Sequence, residues 1–290
     1  MTTWWRFTLQ RYPPAKYVFY VSLLVAAVLT TLAPLRAGSG PGPVEVACGW
    51  AGAFTLLYFF RVVDEVKDLP YDREFSPGRP LVTGDVTTAE VRTYGVGSAV
   101  AALAFSAVAG LGPLIVAAAA MSYSLLLFLA ERKSAKFADS MWGNIVVTIQ
   151  LKTILVLYVV AVGGGGEVLP TGLLVVSFLF GYLHWEIARK TMRREFERPG
   201  EKLYSTAAGW TGGASVALVL LVVACGLQAV VALAWDDAGL ETLLLALPLP
   251  ITAWGVAKLA RNREKRYAPG NPALLAYVVF LAACTLRTLP

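Results

Sequence analysis

The chain has 290 residues, of which 57% are hydrophobic and only 15% charged. So little charge cannot cover the surface of a water-soluble domain of this size, which excludes an ordinary soluble globular protein. The formal net charge of +6 does not indicate nucleic-acid binding, because the bases fall between long apolar blocks, where membrane topology accounts for them.

Apolar blocks of 18 or more residues read as membrane-spanning helices, since about 20 residues at a 1.5 Å rise cross the hydrocarbon layer. In chain order, spans are expected at roughly 17–35, 45–63, 91–110, 113–130, 141–162, 168–188, 208–234, 240–258 and 272–288. The segment before the first span, Met1 to Lys16, is polar and aromatic and does not read as a signal peptide. Gly38-Ser39-Gly40-Pro41-Gly42-Pro43, Gly110-Leu111-Gly112-Pro113 and Gly163 to Gly166 supply turns between spans. Cys48, Cys225 and Cys284 all fall inside apolar blocks at unrelated spacings and are expected to be packing residues. The fold class is therefore an all-α integral membrane protein of about nine transmembrane helices.

Charge sets the expected orientation. Nine spans put the loops at 64–90, 131–140, 189–206 and 259–271 on the side of the N-terminus. Those loops hold most of the Lys and Arg, whereas the other side has little beyond Arg36 and Arg287. The positive-inside rule then makes the N-terminus cytoplasmic and the C-terminus external, in the cell membrane. The expected organisation is one membrane domain over 1–290. It comprises two four-helix halves, roughly 17–131 and 141–260, and a ninth helix at 272–288.

The polar residues that carry chemistry gather after the second and sixth spans. After the second comes Arg61-Val-Val-Asp64-Glu65-Val-Lys67-Asp68-Leu-Pro70-Tyr-Asp72-Arg73. On a continuing helix Glu65 and Asp68 stand at i, i+3 and Asp64 and Asp68 at i, i+4, on one face. Pro70 ends or bends that helix, so that Asp72 can turn toward the same spot. Acids so placed repel one another unless a cation lies among them, and magnesium, which prefers oxygen ligands, suits the set. The plain alternative is a solvated loop with Glu65 paired to Lys67 or Arg61. Further on, Arg79-Pro80-Leu81-Val82-Thr83-Gly84 offers a guanidinium for a phosphate, and Thr87 or Thr88 reads as a helix N-cap before Glu90.

After the sixth span the sequence reads His184-Trp185-Glu186-Ile-Ala-Arg189-Lys190, then Arg193-Arg194-Glu195-Phe196-Glu197-Arg198, and ends at Tyr204-Ser205. Glu186 and Lys190 form a favourable i, i+4 pair that is either a structural ion pair or part of a phosphate site with Arg189. Glu195 and Glu197 are candidates for a second metal. His184 is expected to be a packed histidine outside the site.

These residues resemble the UbiA superfamily of intramembrane prenyltransferases. Its first signature is Asn-Asp-x-x-Asp-x-x-x-Asp after the second helix, followed by an Arg-Pro-Leu-x-x-Gly turn. Asp64-Glu65-x-x-Asp68-x-x-x-Asp72 fits that spacing, with Asp for Asn and Glu for the first Asp, and Arg79 to Gly84 fits the turn. The family's second acidic stretch would fall on Met192 to Glu197, where only Glu195 and Glu197 are acidic, so the chain reads as a divergent branch.

The resemblance implies a magnesium-dependent prenyltransferase whose substrates are a prenyl diphosphate and a lipophilic acceptor. In that reading Asp64, Glu65, Asp68 and Asp72 are catalytic and hold the metal. Arg79, Arg189, Lys190, Glu186 and Tyr204 bind substrate, and Asn144 faces a polar acceptor. Phe54, Tyr58, Phe180, Tyr182 and Trp185 are candidate walls for an allylic cation. Two alternatives remain: a membrane terpene cyclase that ionises the same donor without an acceptor, and a lipid-binding or transport protein. Transport would need ionisable groups in mid-span, where Lys152 is almost the only one.

Overall fold

The computed structural model describes residues 2–36, 38–133, 141–235 and 239–287, with the backbone alone at 141–144. The regular structure of these residues is all helical. The helices are α1 (Thr3–Arg11), α2 (Pro14–Leu32), α3 (Pro43–Lys67), α4 (Leu69–Phe75), α5 (Pro80–Thr83), α6 (Thr88–Ala109) and α7 (Leu111–Lys133). After these come α8 (Met141–Thr148), α9 (Gln150–Val162), α10 (Val168–Arg189), α11 (Tyr204–Trp235), α12 (Pro248–Arg261) and α13 (Gly270–Leu286). Among the described residues, eight helical segments are long and apolar enough to cross a membrane: Pro14–Leu35, Pro43–Lys67, Thr88–Ala109, Leu111–Lys133, Ile145–Val162, Val168–Arg189, Tyr204–Trp235 and Leu240–Arg261. The ninth expected span falls on the shorter apolar helix Gly270–Leu286.

The helices are built as membrane helices are. On α6 the inward positions are small, with Gly95, Ser98, Ala102 and Ser106 buried, while Val96 and Val100 are 66% and 62% exposed. Lipid is as apolar as valine, so helices gain more from close backbone approach than from hiding large side chains. The start of α6 is fixed by a capping box: the Glu90 backbone N–H donates to Thr87 Oγ1 at 3.2 Å and the Thr87 N–H donates to Glu90 Oε2 at 2.8 Å.

The chain divides into two compact units, Met1–Val25 with Gly40–Gly164, and Ala26–Ser39 with Gly165–Pro290. In the first, α3 packs along α6 and α7, and α9 along α7. Gly52 lets α3 approach α9 closely: a Cβ there would lie 2.1 Å from Tyr158 Oη, which itself bonds Ser106 Oγ at 3.0 Å. The short helix α1 lies on the same unit with Phe7 and Thr8 buried. Thr8 Oγ1 meets Tyr58 Oη at 3.0 Å, and Tyr12 Oη donates to the Phe54 carbonyl at 2.7 Å. Its Trp4, Trp5 and Leu9 are exposed, an aromatic face typical of the membrane–water interface.

In the second unit α10 packs along α11, and α13 against α10 and α12. His184 is fully buried between elements, with Nδ1 2.9 Å from the Ala217 carbonyl and Nε2 3.2 Å from Thr252 Oγ1. Within α11, Gly209 stands at φ 69°, a left-handed conformation that breaks the helix a turn after its start.

Candidate active site

The end of α3 is where the first charged group is assembled. The helix continues past the apolar block to Lys67, Asp68 caps it, and α4 starts afresh with Pro70 in its first turn, where a missing N–H costs nothing. Asp64, Glu65 and Lys67 thereby sit on the last turn of one helix and Asp72 in the first turn of the next. Glu65 is 1% exposed: Arg11 Nε donates to its Oε1 at 2.6 Å, Arg61 pairs with the same oxygen, and its Oε2 is buried without a partner. Asp72 is 2% exposed and pairs through Oδ2 with Arg79, while its Oδ1 is likewise buried and unpartnered. Arg79 is held in place as the N-cap of α5, whose end is turned by Gly84 at φ 82°.

Asp64 and Asp68 are partly open to solvent and share Lys67. Its Nζ lies 3.4 Å from Asp64 Oδ1, 3.9 Å from Asp68 Oδ1 and 3.4 Å from Glu131 Oε1 at the end of α7. Partial burial, and then the Asp64 carboxylate beside it, push the Asp68 pKa up to about 6. The structure thus brings Asp64, Glu65, Asp68, Asp72 and Arg79 into one region, and adds Arg11 and Glu131, which the sequence analysis did not single out. Arg11 is 54 positions from its partner, and no local spacing announces it.

The second group lies at the end of α10. Arg189 grips Glu186 in a fork, Nε to Oε2 at 2.7 Å and Nη2 to Oε1 at 2.8 Å, and Lys190 Nζ stands 3.0 Å from Oε1. Lys190 also lies over the Tyr204 ring at 5.6 Å, and Arg189 over Trp185 at 5.1 Å. Glu186, Arg189, Lys190 and Tyr204 are therefore together, with the i, i+4 ion pair in place. Glu195 and Glu197 have separate partners. Glu195 accepts from Arg193 Nε at 2.6 Å, and Glu197 from Thr206 Oγ1 at 3.3 Å. Its own backbone N–H and Arg193 hold the Glu195 carboxyl below the usual carboxylate range. The Asn144 side chain lies outside the described residues.

Of the candidate wall aromatics, Tyr58 has its hydroxyl on Thr8 and its ring edge-on to Tyr12 at 5.0 Å, and Tyr182 stands edge-on to Trp185 at 5.4 Å. These are packing contacts of ordinary geometry.

No family model and no curated protein matches the sequence. Solved structures do match along almost its whole length. A digeranylgeranylglyceryl phosphate synthase superposes with a TM-score of 0.64 at 16% identity, covering 98% of each chain. A UbiA homologue from Archaeoglobus fulgidus, bound to DMAPP and Mg2+, gives 0.65 at 14% identity over 97% of this chain and 98% of its own. One from Aeropyrum pernix K1 gives 0.62 at 18% over 95% and 98%. The chain has the UbiA fold.

The UbiA homologue solved with Mg2+ raises the question of whether the residues here suit such an ion. The acids of the first group offer oxygen donors only, and Glu65 Oε2 and Asp72 Oδ1 are spare buried carboxylate oxygens. That chemistry fits a hard cation. Among the described residues no three acidic, histidine or cysteine side chains stand together as a ready metal cage. Magnesium in particular takes one or two carboxylates and completes its shell with water and phosphate oxygens, so a dedicated cage is not required.

Proposed function

We propose that this chain is a magnesium-dependent intramembrane prenyltransferase, moving an isoprenoid chain from its diphosphate to an aromatic or other lipophilic acceptor. The observation that carries this reading is the charged cluster at the end of α3, with spare oxygens on two sealed carboxylates and Arg79 fixed against Asp72. It is supported by the fold, since homologues with that fold are solved with DMAPP or GPP and Mg2+.

In this reading Glu65, Asp68 and Asp72, with Asp64 beside them, hold the metal, which supplies positive charge to the departing diphosphate. Arg79 has donors left beyond those on Asp72 and directs them at phosphate oxygens, stabilising charge as the carbon–oxygen bond breaks. The buried positions of Glu65 and Asp72 keep water from these contacts, which strengthens them. Arg189 and Lys190 are proposed as phosphate contacts on their chemistry alone, and a Lys190→Met variant is expected to raise KM for the diphosphate. The bases in the loops at 64–90 and 189–206 support a site at the cytoplasmic face of the cell membrane.

The test is diphosphate release and product analysis in detergent, using radiolabelled geranyl, farnesyl and geranylgeranyl diphosphates with lipid extract as the source of acceptors. Magnesium-dependent release that Asp68→Ala and Asp72→Ala both abolish is expected. Hydrocarbon products in the absence of any acceptor would establish cyclisation in place of transfer. No release with any donor would sink both readings and return the chain to a lipid-binding role.

A further inference from the structure

One side of α12 changes its chemistry along its length. Leu247, Trp254 and Arg261 follow one another at intervals of two helical turns and so share that side, with Lys258 between the last two. Leu247 and Trp254 are 51% and 56% exposed, and Lys258 and Arg261 are exposed as well. The segment Leu240–Arg261 is long and apolar enough to cross a membrane, so exposed apolar side chains within it lie against lipid. Over about 20 Å of helix the exposed side passes from leucine through an indole to an ammonium and a guanidinium. Lys258 Nζ stands over the Trp254 ring at 5.4 Å and over the Tyr267 ring at 5.2 Å, contacts that hold its height and leave its N–H donors free for an anion. The segment from Lys258 to Arg266 carries five bases and one acid, Glu264. It is braced against the stretch after α10. Arg193 Nη1 donates to the Ala260 carbonyl at 3.2 Å, Arg266 Nη1 donates to the Phe196 carbonyl at 3.2 Å, and Arg266 pairs with Glu201. Arg193 and Arg266 thus act as struts, and they flank the exposed bases Arg194, Arg263 and Lys265.

We propose that this side of α12 binds an anionic phospholipid, with an acyl chain along Leu247 and Trp254 and the phosphate on Lys258 and Arg261. Charge and depth select that occupant. The side is apolar where a lipid has its chain, aromatic at the boundary and cationic where a lipid has its phosphate. A zwitterionic headgroup would bring its own ammonium among five bases, which favours a headgroup of net negative charge. A free phosphate would leave the apolar half of the side unused. A second copy of the chain, docked symmetrically, would set these bases against themselves. The struts fix the segment before any lipid arrives, so little ordering is spent on binding.

The test is native mass spectrometry of the purified protein in detergent, titrated separately with dioleoylphosphatidylglycerol and dioleoylphosphatidylcholine. Phosphatidylglycerol is expected to bind about tenfold or more tightly than phosphatidylcholine. The double variant Lys258→Gln, Arg261→Gln should lose that preference, and Lys258→Arg should keep it. Trp254→Ala should weaken both lipids alike. As a control for net charge, Lys16→Gln, Arg92→Gln removes two exposed bases from the first unit and should bind as the wild type does. Equal affinity of the wild type for the two lipids, or an equal loss in both double variants, would overturn the proposal. Displacement of phosphatidylglycerol by millimolar inorganic phosphate would overturn it in favour of a free anion. A dimer carrying no lipid would overturn it in favour of a second copy. No prenyl diphosphate is present in any arm, so the outcome is independent of the proposed transferase activity.

Discussion

Arg79 and Asp72 illustrate how much a single position contributes at this site. Asp72 is sealed from solvent, so Arg79→Ala would strand a buried charge, a loss of about 3 kcal/mol or more, whereas Asp72→Asn with Arg79 in place leaves a guanidinium that solvent still reaches. Thermal unfolding in detergent should therefore rank Arg79→Ala below Asp72→Asn, and equal melting temperatures would contradict the ion-pair account. Asp68 makes a prediction in pH. Its folded pKa, raised to about 6, lies above the ordinary carboxylate value, so the folded chain holds the proton more tightly than the unfolded one. The metal-free protein should lose stability as pH rises from about 4 through 6. If Asp68 is a metal ligand as proposed, Mn2+ affinity should rise over the same window, because a ligating carboxylate must be ionised. Asp68→Asn is expected to flatten both curves. The acids of this site were legible in the sequence because helical spacing alone puts them on one face. Their bases were less so: Arg61 is one turn away and visible, whereas Arg11 and Glu131 reach the cluster only through tertiary packing.

Gly52 shows the same division one level up. The span containing it was readable as a long apolar block, but which helix it meets was not. A Cβ at that position would fall 2.1 Å from the Tyr158 hydroxyl, on a fully buried side chain with no room to retreat. Gly52→Ala is expected to destabilise the protein by about 1–3 kcal/mol, and Tyr158→Phe in the same chain should recover part of that loss. Denaturant-induced unfolding of the two variants would check this, and a silent Gly52→Ala would show that α9 can move aside. Element ends were the least legible. The end of α3 is an exception: the helix runs on past its apolar block to Lys67, as its spacing suggested, and at Asp68 and Pro70 the chain bends into α4. The stretch after α10 has the charges of a second acidic motif, yet only a single 3-10 turn, Arg194–Phe196, and its two acids go to different partners. A sequence pattern of acids and bases does not say which will pair.

For the whole molecule, the fold was legible because lipid imposes a strong rule: spans must be long, apolar and internally hydrogen-bonded. The orientation expected from the distribution of bases makes a separate prediction. With single cysteines introduced at exposed positions, Lys265→Cys should be modified only from the cytoplasmic side and Leu240→Cys only from outside. Labelling of both from one side would overturn the assigned topology. The helix α1 packs on the first of the two units. It brings Arg11 to Glu65 and at the same time displays Trp4 and Trp5, 45% and 38% exposed, with ring centroids 5.8 Å apart. The helix α1 therefore carries an optical reporter. Indole emission, and its quenching by brominated lipid, follow the seating of α1. Subtraction of a Trp4→Phe, Trp5→Phe spectrum would let detachment of the guanidinium from the carboxylate be followed by light.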